Sequence, residues 1–174
     1  MVLDIACGEG RNALFLARRG YRVTAIDISE VGINKGERQA RIEGLSIDFR
    51  IMDLDVDPLP EGPFHLILNM NYLKRELIPQ EVGRLFPGGV LLFDTILLPP
   101  DGAPGHDPSF FLRPGEICTL FRGLGGEILF SEESPGDPMP TARLLFRRHP
   151  MTIPGAMSLT DKGKGEKNPV PDGT

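Results

Sequence analysis

From Val2 onward, compact apolar runs alternate with amphipathic stretches. VLDIAC (Val2–Cys7) predicts a short buried strand. RNALFLARRG follows with apolar positions at Leu14, Phe15, Leu16 and Ala17, and with Arg18 and Arg19 next to Gly20. That is a helix with a basic last turn and a glycine stop. YRVTAID (Tyr21–Asp27) alternates and is rich in β-formers, so it is the second strand. Ser29 can cap a helix over EVGINKGERQARIEG that ends at Gly44 and is weakened by Gly32 and Gly36. Leu45–Asp53 reads as the third strand and Phe64–Met70 as the fourth, with LDVDPLPEGP as a loop between them. NYLKRELIPQEVGRLF reads as a helix that Pro79 breaks or kinks. A turn at Pro87–Gly89 then leads into Val90–Leu97, almost wholly apolar, as a central parallel strand should be.

Strands that alternate with helices predict an α/β fold, a doubly wound, Rossmann-like sheet with helices on both faces. The pattern then changes. Leu98–Leu112 is a long loop rich in Pro, Gly and Asp, and RPGEICTLFRGL is a short helix with Pro114 near its first turn. GGEILFSEES and TARLLFRRH are two strands joined by PGDPMP, a connection short enough to require an antiparallel pair. The expected architecture is therefore a mostly parallel sheet ending in an antiparallel hairpin, one domain over residues 1–150. Residues 151–174 carry Gly and Pro without periodicity and read as a disordered tail.

Composition narrows the function classes. A formal net charge of −5 on 174 residues argues against general nucleic-acid binding. No apolar run reaches the roughly 20 residues that span a bilayer, so no membrane partner is expected. The N-terminus does not read as a signal peptide, because Asp4 interrupts its apolar run. Two cysteines, Cys7 and Cys118, make neither a metal-ligand spacing nor a disulfide framework, which fits a reducing cytoplasm.

The candidate chemistry sits at the first strand–helix junction. Gly8-x-Gly10-x-x-Ala13 satisfies the dinucleotide fingerprint, and Asp27 follows about 20 residues on, as that fingerprint asks. The same arrangement suits a nucleoside that carries an amino acid. Three features discriminate. Asp4 lies inside the first strand, where a carboxylate is costly unless paired; an α-ammonium group would pair it, directly or through water. Asp53 ends the third strand between Met52 and Leu54, which suits an adenine with one amine and two apolar faces. The closing hairpin departs from a dinucleotide half, which would continue with parallel strands. Cys7 reads as a small packed residue rather than a nucleophile.

VLDIACGEGRNALFLARRGYRVTAIDIS closely resembles the first motif of class I S-adenosylmethionine-dependent methyltransferases, and in particular the small branch that includes the tellurite-resistance methyltransferases. FPGGVLLFDT and PSFFLRPGEICTLFRGL resemble later segments of these proteins. The resemblance implies S-adenosylmethionine as cofactor and methyl transfer to a small-molecule acceptor by in-line displacement, with no dedicated base. It implies that Asp4, Ala6, Gly8 and Gly10 surround the methionine end, with Cys7 in the same loop and Asn12 helping from the helix start. Asp27 would take both ribose hydroxyls, Ile28 would pack on adenine, Asp53 would meet its amine, and Asn69 would sit beneath the sulfonium. Asn71, Tyr72 and His106 are candidates for the acceptor side. Family members carry a helix, and often a lid, before strand one; here strand one begins at residue 2, so both are expected to be missing. Two other readings stay open: a non-catalytic or truncated S-adenosylmethionine-binding protein, and a small NAD(P)-dependent oxidoreductase.

Overall fold

The computed structural model describes residues 1–136 and 139–151; the expected tail, Met151 apart, lies outside the described residues. Seven strands form one sheet: β1 (Val2–Ile5), β2 (Val23–Asp27), β3 (Ile47–Ile51), β4 (Phe64–Met70), β5 (Leu85–Ile96), β6 (Gly126–Ser134) and β7 (Thr141–Arg148). Their order is β3-β2-β1-β4-β5-β7-β6. Pairing is parallel from β3 to β5, whereas β7 runs antiparallel to both β5 and β6. The expected mostly parallel sheet with a terminal antiparallel hairpin is the observed one.

The helices α1 (Arg11–Ala17), α2 (Glu30–Glu43), α3 (Ile78–Arg84) and α4 (Ile117–Phe121) cover the sheet. Strand parity assigns the faces, because successive side chains alternate. Leu3 and Ile5 of β1 join Ile67, Leu91 and Phe93 beneath Ile78, Val82, Ile117 and Phe121. Val2, Val23, Ala25 and Leu68 pack instead against Ala13 and Leu16 of α1. Burial of each large apolar side chain contributes roughly 1.5–3 kcal/mol, which makes these two layers the main stabilising term.

Several boundaries differ from the sequence reading, each for a local reason. β1 stops at Ile5 rather than Cys7, because Ala6 turns to φ 51°. α1 ends at Ala17, so Arg18 and Arg19 lie beyond its last turn. β2 starts at Val23 and β3 covers only Ile47–Ile51. The expected long helix after β4 is short. Asn71–Lys74 is irregular, Arg75–Leu77 is a single 3-10 turn, and Pro79 sits in the first turn of α3 rather than kinking it. Proline is tolerated there because that N–H has no intrahelical partner. Pro87–Gly89 lies within β5, which begins at Leu85 and absorbs an irregular register opposite Phe64 and Leu66. Pro114 precedes α4.

Candidate functional site

The loops at the carboxyl ends of β1, β2, β3 and β4 gather around the glycine loop. Register puts Asp4 beside Ala25 and Ile5 beside Asn69. After Ile5 the chain takes positive φ at Ala6 (51°), Gly8 (58°) and Gly10 (77°). Ala6 and Asn71 (φ 60°) are the non-glycine residues in this region among those described, and they leave adjacent strands β1 and β4. A left-handed conformation costs an alanine roughly 1–2 kcal/mol, so the cleft holds local strain.

Gly10 and the two glycines of α2 share a steric cause. A methyl on Gly10 or on Gly36 would lie 2.7–2.8 Å from the Phe49 ring, and one on Gly32 would lie 2.8 Å from the Gly8 carbonyl oxygen. Gly32 and Gly36 therefore let α2 press against the glycine loop. The sequence reading counted them as helix weakness.

Asp27 ties the loop down. Its Oδ2 accepts from the Gly8 amide at 2.7 Å and its Oδ1 from the Ser29 amide at 2.8 Å. A carboxylate offers about four lone-pair sites, so each oxygen keeps capacity for a further acceptor bond. Ser29 in turn caps α2 by accepting from Gly32 at 3.1 Å. Ile28, next to Asp27, is 64% exposed. Met52 is half-buried and its amide donates to the Asp27 carbonyl, so β3 delivers Met52, Asp53 and the buried Leu54 next to β2. Asp53 Oδ1 accepts from the Asp55 amide at 2.9 Å, and the Asp53 amide donates to Asp57 Oδ2 at 2.8 Å. This turn chemistry holds the Asp53 carboxyl at the loop surface.

Asp4 lies under the loop on the α1 face and is 1% exposed. Neither of its carboxylate oxygens has a hydrogen-bond partner among the described residues. Burial pushes its pKa up to about 7; the Ala13 amide, outside full hydrogen-bond geometry, pulls it back, and the Asp27 carboxylate adds to the rise. Burial, with Asp4 and Asp27 nearby, pushes the Cys7 thiol up to about 12. A thiol held protonated is a poor nucleophile, which agrees with its reading as a packed residue. Asn12 lies in the first turn of α1 and is half-buried.

Asn69 does not face the glycine loop. By strand parity it points to the α3 side, fully buried, and its Nδ2 donates to Glu81 Oε1 at 2.8 Å. Asn69 Oδ1 and Glu81 Oε2 have no partner among the described residues. Burial pushes Glu81 up to about 7 against the lowering effect of the Asn69 bond.

On the other side of β4 a cavity of about 580 Å³ opens between the β4–α3 segment, the end of β5 and the loop after it. Asn71, Tyr72, Ile96 and Phe110 line it, as do Lys74 and Arg75. Burial raises the Tyr72 phenol, and the Lys74 ammonium partly offsets this. Lys74 Nζ donates to the Leu54 carbonyl and to Asp55 Oδ1 at 2.9 Å, which links this cavity to the β3 loop. Asn71 and Tyr72 thus line the cavity together. His106 does not line it; it is exposed on the Leu98–Leu112 loop, its ring edge-on to Phe111 at 6.2 Å. Glu81 and Arg75 escaped the sequence reading. Parity along β4 would have turned Asn69 toward α3 and so toward Glu81; no local signal marks Arg75.

Comparison with known proteins agrees with this geometry. Residues 2–87 match the family described as methyltransferase domain. The chain is 31% identical over 153 residues to the ubiquinone biosynthesis O-methyltransferase of Nitrosococcus oceani, covering 73% of this chain and 63% of that protein. The crystal structure of TehB from Haemophilus influenzae superposes with a TM-score of 0.71 at 26% identity, covering 84% of this chain and 57% of that one. Magnesium protoporphyrin IX methyltransferase from Synechocystis, crystallised with bound SAM, shares the fold at a TM-score of 0.66 and 18% identity, covering 85% of this chain and 69% of that one. The chain spans 63% and 57% of the length of the first two curated relatives it matches. Glycine loop, strand order and family match converge: residues 2–87 match a methyltransferase domain, and the chain has the fold of the S-adenosylmethionine-dependent methyltransferases.

Proposed function

We propose that this chain binds S-adenosylmethionine over the carboxyl ends of β1, β2 and β3 and serves methyl transfer to a hydroxyl oxygen of a small-molecule acceptor. The observation that carries the reading is Asp27, whose two oxygens pin the glycine loop and the α2 cap, each accepting one bond and keeping capacity for another. Two ribose hydroxyls match that capacity. The orphaned Asp4 oxygens fit an α-ammonium group nearby, because a cation compensates a buried carboxylate. Positive-φ backbone at Gly8 and Gly10 permits close approach, and exposed Ile28 offers an apolar face to adenine. Asp53 would accept from the adenine amine, with Met52 and Leu54 beside the ring. The residues present therefore fit the cofactor.

A dinucleotide is the weaker fit. A dinucleotide-binding sheet continues with parallel strands in the order 3-2-1-4-5-6, whereas β7 here inserts antiparallel between β5 and β6.

When bound, the cofactor supplies an electrophilic methyl group on a sulfonium, which an acceptor takes by in-line displacement. The chain's own contribution is alignment. Asp27 and the glycine loop fix the nucleoside, and the cavity lined by Tyr72, Ile96 and Phe110 holds the acceptor. Asn69 and Glu81 keep the end of β4 in place from below, and so act on the site at one remove. The oxygen acceptor is supported by the O-methyltransferase relatives. The test is transfer of labelled methyl from S-adenosylmethionine to a panel of hydroxyl compounds, amines and thiols. Transfer confined to hydroxyl compounds is expected; transfer to amines or thiols alone would overturn the oxygen assignment.

A further inference from the structure

Arg75 is half-buried, with 28% of its side chain exposed, and its guanidinium makes four hydrogen bonds. Two go to Glu116: Nε to Oε1 at 2.6 Å and Nη2 to Oε2 at 2.9 Å. This is the forked geometry in which Arg–carboxylate pairs are strongest. The other two go to backbone carbonyls: Nη1 to Ser109 at 3.0 Å and Nη2 to Phe111 at 3.0 Å. Glu116 also accepts from the Arg113 amide at 2.8 Å, so its own orientation is fixed. One side chain thus joins the β4–α3 segment, the loop after β5 and the residue before α4.

The two carbonyls it grips flank Phe110. That phenylalanine is 68% exposed and lines the 580 Å³ cavity beside Tyr72 and Ile96. An exposed aromatic ring gains nothing for folding, and a loop of this length would ordinarily leave it free to move. Here the backbone on both sides of the ring is tied to a partly buried ion pair.

Resting on the reading of this cavity as the acceptor pocket, we propose that Arg75 is a positioning residue that holds Phe110 as a fixed apolar wall against which a planar acceptor packs. Its action reaches the acceptor only through Phe110. The charge on Arg75 is spent on Glu116, so the wall selects for shape and apolar surface rather than for an anionic acceptor.

The test uses the full chain saturated with S-adenosylhomocysteine and two probes of similar size, catechol (planar) and cis-1,2-cyclohexanediol (non-planar), with binding followed by ligand-observed NMR. Wild type is expected to prefer catechol. Phe110→Ala is expected to weaken catechol about tenfold and remove the preference. Arg75→Met is expected to do the same, Arg75→Lys to fall between, and the double variant Arg75→Met/Phe110→Ala to lose no more than either single change. Non-additivity of this kind marks two residues that act as one unit. S-adenosylhomocysteine affinity should stay within twofold throughout. Full additivity, or an Arg75→Met protein with unchanged preference, overturns the proposal. So does a wild type that binds S-adenosylhomocysteine but neither probe, which would leave the cofactor reading standing. Absence of S-adenosylhomocysteine binding fells the cofactor reading itself. If Arg75→Met does not fold, Arg75→Lys decides: it keeps a cation for Glu116 but not the fork that grips both carbonyls, and an unchanged planar preference in it overturns the proposal.

Discussion

Replacing Glu81 by glutamine isolates the effect of one buried proton. Glu81 is fully buried; one oxygen accepts from Asn69 and the other has no partner among the described residues. Burial raises its pKa from 4.5 to about 7. In the unfolded chain the carboxyl ionises near 4.5, whereas in the folded protein it keeps its proton until about 7. Between those values the folded state binds more protons, so stability falls as pH rises through this window and levels off above it. At about 1.4 kcal/mol per pKa unit the fall due to Glu81 is about 3 kcal/mol. Asp4, raised for the same reason on the opposite face of the sheet, adds its own fall in the same direction. A glutamine side chain cannot ionise, keeps an oxygen for the Asn69 amide and has nearly the same volume, so Glu81→Gln removes only the Glu81 share. Near pH 5 the two proteins should differ little; near pH 8 the variant should be more stable by about 3 kcal/mol. The chain has no tryptophan, so urea unfolding is best followed by far-UV circular dichroism. With a urea m-value of about 2 kcal/mol/M the midpoints should separate by about 1.5 M. Parallel stability profiles across this range would show that Glu81 does not bury a proton.

Other outcomes follow from the same geometry. Asp53→Ala should weaken S-adenosylhomocysteine by roughly 1 kcal/mol, one partly exposed hydrogen bond, and calorimetry should place this loss below that of Asp27→Ala. Gly32→Ala would normally favour a helix by about 1 kcal/mol. Here the methyl meets the Gly8 carbonyl at 2.8 Å, so cofactor affinity should drop and thermal stability should not rise. Because Asp4 holds its proton to about 7, S-adenosylhomocysteine binding should release a proton at mildly acid pH and strengthen as pH rises toward 7. The analogue 5′-methylthioadenosine, which lacks the ammonium, should bind with a flat profile; matching profiles for the two ligands would remove Asp4 from the ammonium's surroundings.

Much of this fold is written in local sequence. β-Branched and apolar runs at Val2–Ile5, Val23–Asp27 and Phe64–Met70, punctuated by glycine, mark parallel strands without reference to anything distant. The short link between β6 and β7 dictates their antiparallel pairing. The place of Asp27 at the end of β2, bonded to Gly8, is legible because its spacing from Gly8 is set by one strand–helix–strand unit. What escaped depends on contacts across the chain. Arg75 finds Ser109, Phe111 and Glu116 34 to 41 residues away. Gly32 and Gly36 look like poor helix formers until the glycine loop is seen pressed against them. The sequence reading put Asn69 beneath the sulfonium, whereas parity along β4 turns it toward α3 and Glu81. His106, placed near the strand ends by its loop, is exposed with its ring edge-on to Phe111 and is not among the residues that line the cavity.

If the glycine loop and Asp27 form a site for S-adenosylmethionine, the chain should bind that nucleoside and no dinucleotide. Calorimetric titration of the chain with S-adenosylhomocysteine and, separately, with NAD and NADP tests it most directly, with Asp27→Ala beside the wild type. Saturable one-to-one binding of S-adenosylhomocysteine and none of either dinucleotide is expected. Asp27→Ala should lose at least about 3 kcal/mol, the sum of two charge-assisted hydrogen bonds at roughly 1.5 kcal/mol or more each. Binding of NAD or NADP in preference to S-adenosylhomocysteine, or equal S-adenosylhomocysteine affinity in Asp27→Ala and wild type, would contradict this expectation.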